Sequence, residues 1–115
     1  MILLIRRNKG FIVLKKTVIR SSKHLKFIRT LECAMCDSFY VEAAHLRMRT
    51  NGGMGMKPSD SCVIPLCTAH HRMQHHIGEE LFWTGRNPHD LAESLWQATG
   101  NRDLALAIIL EQRHD

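Results

Sequence analysis

Two short spacings constrain this chain more than anything else in it: Cys33-x-x-Cys36, and Cys67-x-x-His70 thirty-one residues after Cys36. Each sets two soft or borderline metal ligands on one tight turn, and four such ligands close a tetrahedral zinc shell. Cys62 competes with His70 for the fourth place. It lies five residues before Cys67 in an extended segment, so strand alternation turns the two side chains to opposite faces and favours His70, leaving Cys62 as a buried apolar thiol. That shell leaves His45, His71 and His75 over. Leftover histidines beside a structural metal point to a second site that does chemistry.

A chain of 115 residues is enough for one domain with a modest core, which a bound metal would supplement. Four cysteines would alternatively allow two disulfides in a secreted protein. The start Met1-Ile-Leu-Leu-Ile-Arg-Arg turns to charge too soon for a signal peptide, and no apolar run reaches the length of a membrane span. The expectation is a cytoplasmic metal protein without a membrane partner. Charge is unevenly spread: nine Lys or Arg and no acid precede Glu32, whereas Ile77 onward holds seven acids and three Lys or Arg. The basic part reads either as a solvated tail or as a surface for nucleic acid.

The pattern along the chain is α+β. Apolar residues 2–5 and 11–14 flank Asn8-Lys9-Gly10 as a possible hairpin, within a basic N-terminal segment 1–20 that precedes a domain over 21–115. Ser21-Ser22 caps a predicted helix over Lys23–Leu31, with Leu25, Ile28 and Leu31 inward and Lys23, Lys26 and Arg29 outward. Residues 39–47 read as a strand, Asn51–Gly55 as a glycine-rich loop and Val63–Leu66 as a second strand. A helix from Thr68 carries His71, Gln74 and His75 to Gly78. Pro88 opens a helix with Leu91, Leu95 and Trp96 on one face. Leu104, Ala107, Ile108 and Glu111 continue in a last helix from about Asp103. Trp83 and Trp96 read as core rather than as base-stacking platforms.

His71 and His75, four apart on a helix, project from one face and can share a metal, while His76 points about a quarter turn away. His45 ends a strand beside the loop. The order Cys-x-x-Cys, strand, Ala44-His45-Leu46-Arg47, glycine loop, Pro65-Leu66-Cys67-x-x-His70-His71-x-x-x-His75 resembles the HNH endonucleases, the His-metal finger. More closely it is similar to small phage and prophage HNH proteins with Glu-Ala-Ala-His-Leu-Arg, Gly-Met-Gly-Met-Lys-Pro-Ser-Asp and Val-Ile-Pro-Leu-Cys blocks. The resemblance spans roughly residues 21–110 and is specific from Cys33 to His76.

The resemblance implies a zinc-stabilised ββα-metal finger with flanking helices, acting as a metal-dependent DNA endonuclease. Cys33, Cys36, Cys67 and His70 would hold the structural zinc. His45 would be the general base that takes a proton from water, and an unperturbed imidazole pKa of about 6.5 suits that task. His71, His75 and Asp60 would hold a catalytic Mg2+, Mn2+ or Zn2+, with Asp60 alternatively orienting the base. Many members place an Asp or His ligand just before the base, where this chain has Ala44. Either Asp60, His71 and His75 suffice with water, or Glu42, on the strand face of Ala44, reaches in. If the strand runs on past His45, Arg47 and Arg49 share its face and clamp phosphate, with Lys57 adding a contact. The rival from another class is a non-catalytic zinc-containing nucleic-acid-binding module. A third reading is an adaptor of a phage recombination or packaging system that docks partners through its acidic C-terminal helices.

Overall fold

The computed structural model describes residues 18–48 and 57–113. The expected N-terminal hairpin, the Asn51–Gly55 loop and Arg49 lie outside the described residues. The elements are α1 (Ser22–Ile28), β1 (Val41–His45), β2 (Val63–Cys67), α2 (Thr68–Ile77), α3 (Glu79–Phe82), α4 (Pro88–Gln97) and α5 (Arg102–Arg113).

α1 starts where the cap predicts it: the Ser21 hydroxyl accepts the His24 N–H. It closes earlier than Leu31, because the N–H groups of Thr30 and Leu31 bond back three residues, to Phe27 and Ile28, and tighten the last turn. Ile28 and Leu31 are fully buried. His24 joins them, which the apolar pattern does not predict.

β1 and β2 form an antiparallel hairpin in register from Val41↔Cys67 to His45↔Val63. The strand expected over 39–47 is thus trimmed at both ends. Tyr40 turns its N–H onto the Ser38 hydroxyl. Beyond His45, the N–H groups of Arg47 and Met48 are taken by the Glu79 carboxylate at 2.7 and 3.0 Å. Arg47 therefore does not continue the ladder on the His45 face as the sequence pattern predicts. Pro65 gives the ladder no N–H, which a two-stranded sheet tolerates, and its carbonyl accepts the Ala34 N–H.

Cys67 ends β2 and stands at the N-cap of α2, so strand passes to helix without a loop. Gly78, at φ 92°, ends α2 and admits the short α3, which the sequence pattern does not mark. Asn87 caps α4 through the Asp90 N–H, with Pro88 at the first helical position. α4 buries Leu91, Ala92 and Leu95, and α5 buries Ala105 and Ile109 while Leu104 stays half-exposed. These residues share one core with Ala44, Leu46, Val63, Ile64 and Leu66 of the hairpin segment. Trp83 is buried there, its indole N–H donating to the Gln74 side-chain oxygen.

α5 is also fastened to the 30–34 segment. Arg102 donates to the Thr30 carbonyl, Gln112 to the Ala34 carbonyl and Arg113 to the Cys33 carbonyl and the Glu32 carboxylate. The described residues contain no helix long and apolar enough to cross a membrane.

Candidate functional site

Cys33 and Cys36 lie on the turn before β1, and Cys67 and His70 at the β2–α2 joint. The hairpin register brings the two turns together, because Val41 pairs with Cys67. The four ligand atoms lie within 4.8 Å of one another. His70 Nδ1 is 3.6 Å from Cys33 Sγ and 3.2 Å from Cys67 Sγ, and Cys36 Sγ is 3.9 Å from Cys67 Sγ. A zinc tetrahedron with bonds of about 2.3 Å to sulfur and 2.0–2.1 Å to nitrogen has edges of roughly 3.5–3.8 Å. The Cys3His group can hold a structural metal such as zinc, and His70 rather than Cys62 takes the fourth place.

Burial pushes the Cys33 thiol up to about 11. Burial also acts upward on Cys67. There the His70 and Ala69 N–H groups of the first helical turn, with the Cys33 and Cys36 thiols, outweigh it and bring that thiol below its usual range. Cys67 is thereby readier than Cys33 to bind a metal as thiolate.

His45 stands at the far end of the hairpin. Its Nε2 is 2.9 Å from Asp60 Oδ1, across fifteen residues of sequence. Asp60 is only 3 % exposed, and its other oxygen accepts the Ser21 N–H at 2.8 Å. Arg20 lies 3.5 Å from Asp60 Oδ1 and donates to the carbonyls of Pro58 and Lys57. Burial alone would raise the Asp60 carboxyl. The hydrogen bonds from His45 and Ser21 and the charges of His45 and Arg20 overcome it and hold the group below its ordinary value, so it is an anion at neutral pH.

A carboxylate can only accept, so the Asp60 bond selects the His45 tautomer with hydrogen on Nε2 and leaves Nδ1 as the basic nitrogen. Arg20 and Ser21 escape a motif-based reading. Arg20 is one of nine basic residues in its stretch, and nothing local distinguishes it from the rest.

The expected grouping of Asp60, His71 and His75 is distributed differently. His71 Nδ1 is 2.6 Å from Glu42 Oε1, the Thr68 hydroxyl donates to Glu42 Oε2 at 3.3 Å, and the His71 and His75 rings are 4.8 Å apart. The bond from His71 draws the Glu42 carboxyl below its usual range. Glu42, on the face of β1 opposite His45, thus meets His71, whereas Asp60 is engaged by His45, Ser21 and Arg20. Among the described residues, Cys33, Cys36, Cys67 and His70 are the one group of three or more such side chains close enough to share an ion. Arg47 and Lys57 are exposed, and the Lys57 carbonyl lies under Arg20.

Residues 10–91 match the family described as "Protein of unknown function (DUF968)", which covers more than half of the chain. The chain belongs to this family. The matched stretch holds all four Cys3His residues, the His45–Asp60 pair and the Glu42–His71 pair, and it stops early in α4. The chain is also similar to "Uncharacterized protein YdfU" of Escherichia coli (strain K12), with 38 % identity over 53 residues. That alignment covers 46 % of this chain and only 15 % of the relative. No solved structure matches.

Proposed function

We propose that this chain is a metal-dependent DNA endonuclease of the HNH type, built on a zinc-stabilised ββα finger. The observation that carries the reading is the His45–Asp60 pair, held at one end of a hairpin whose other end gathers the Cys3His group. Hydrolysis of a phosphodiester needs a positioned group to accept the proton of the attacking water. His45 offers Nδ1 for that proton, and buried Asp60 fixes the ring and balances the charge it acquires.

Asp60 acts here as the orienting group. His71 and His75 would hold the catalytic divalent ion, with Glu42 on the second nitrogen of His71 setting the ring's direction. When bound, such an ion supplies Lewis-acid stabilisation of the phosphate and the leaving oxygen. Arg47, Arg49 and Lys57 would contact the DNA backbone. By the same resemblance, the proposed setting is the cytoplasm, in phage or prophage DNA metabolism, with a recombination or packaging protein as the proposed partner.

A second reading, a nucleic-acid-binding module that does not cut, is favoured by Ala44 in the ligand position and by the lack of a second three-ligand group among the described residues. A plasmid-nicking assay over several divalent ions separates the two. His45→Ala is expected to lower cleavage ~10²–10⁴-fold, the usual contribution of positioned proton transfer, while zinc content and DNA affinity hold. His71→Ala is expected to raise the ion concentration required. A wild type that binds DNA and cuts under no ion would establish the binding module.

A further inference from the structure

Trp83 is in the core, and Trp96 is half-buried with a T-shaped contact to buried His24. By contrast Tyr40 is 90 % exposed and Phe39 52 % exposed, side by side between the Cys33–Cys36 turn and β1. The Arg102 guanidinium stands 5.9 Å from the Phe39 ring centroid, within cation–π range. Arg102 also bonds the Thr30 carbonyl, which joins the aromatic pair to the exposed cations Lys26 and Arg29 at the end of α1.

We propose that Tyr40, Phe39 and Arg102 form a stacking platform for single-stranded nucleic acid, a proposal that rests on the nucleic-acid partner argued above. Unpaired bases offer faces to aromatic rings and guanidinium planes, and a duplex keeps those faces stacked on one another. Lys26 and Arg29 supply the cations that a phosphate backbone leaving the platform requires. Asp37 and Asp103 adjoin the patch in sequence, so the aromatic faces rather than net charge give it its preference. The platform lies beyond the Val41 end of β1 and His45 at the other end, a separation of roughly 17 Å at the rise of a strand.

The test is fluorescence anisotropy of a labelled oligothymidylate and of a duplex of equal length with the full chain, without added divalent ion so that nothing is cut. Tyr40→Ala is expected to weaken the single strand about tenfold or more, the ordinary loss of one base–aromatic stack. Its logarithmic salt slope should not change, because no phosphate contact is removed. Tyr40→Phe should keep the affinity and the duplex should be indifferent to both variants. Equal losses on both substrates, no loss on either, or no binding by the wild type would each overturn the proposal. An unchanged single-strand affinity in the folded Tyr40→Ala protein would assign the patch to a protein partner. The assay needs no cleavage: a platform without nicking would fail the nuclease reading alone, and nicking without a Tyr40 effect would fail this one alone.

Discussion

Asp60 brings together residues forty positions apart, and each of its bonds narrows what His45 can do. Its lowered carboxyl is also a stability statement. The stabilisation it gives is present above the unfolded value of 3.8 and is lost as pH falls through the still lower folded value. Asp60→Asn is expected to do two separate things. The amide can donate as well as accept, so it no longer imposes the Nε2–H tautomer, which nitrogen-15 spectra of His45 would report without any cleavage assay. In the nicking assay the same variant should lose much of the ~10²–10⁴-fold contribution of the base. Arg20→Gln should cost less, since the Ser21 N–H still holds the carboxylate. An Asp60→Asn protein with wild-type tautomer and cleavage would remove Asp60 from the site. At this scale the Cys3His group was legible in the sequence, because ligand spacing on a turn is a local property. The partnership of Arg20 with Asp60 was not, because it depends on where α1 lands against the 57–60 turn.

The secondary-structure elements were legible where capping and period agree. Ser21, Thr68 and Pro88 each mark a helix start that the structure keeps. Strand ends were not legible, because an apolar or β-branched residue says nothing about which carboxylate will take its N–H. Glu79, at the start of a helix too short to carry a period, ends β1 by capturing Arg47 and Met48. The role of α5 was equally hidden. Its buried stripe of Ala105 and Ile109 packs the core, while its last turn binds the carbonyls of Cys33 and Ala34. The last turn of the helix therefore buttresses the Cys33–Cys36 turn. Replacing both Gln112 and Arg113 with Ala should remove about 2 kcal/mol, at roughly 0.5–1.5 kcal/mol for each ordinary hydrogen bond. Zinc should then pass faster to a chromophoric chelator, since binding at such a site is coupled to folding. Unchanged release from a variant with a lowered melting midpoint would separate α5 from the metal turn.

Across the whole molecule, α1 and the end of α4 meet at His24, and that contact sets how the fold answers acid. The Thr99 hydroxyl donates to the Trp96 carbonyl at 2.6 Å, so it accepts from His24 Nδ1–H at 2.7 Å. Nε2 is buried without a partner, and the ring is neutral. Burial lowers the affinity of His24 for a proton, and the more distant charge of Asp60 restores only part of it. In the unfolded chain the same ring titrates near its ordinary value of 6.5. Below that pH the unfolded state takes up a proton that the folded state refuses. Stability must therefore fall as pH drops from 6.5 toward the lowered folded value, by at most about 1.4 kcal/mol per pH unit. This window opens at 6.5, above the 3.8 at which the loss of the Asp60 contribution begins, so the two effects separate in the upper part of the range. Urea midpoints measured between about pH 7 and pH 5 should decline in the wild type and decline less in His24→Phe. Phenylalanine has no proton to gain, though it forfeits the Thr99 bond and starts from a lower stability. A His24→Phe protein with the wild-type slope would remove His24 as the source of the acid sensitivity.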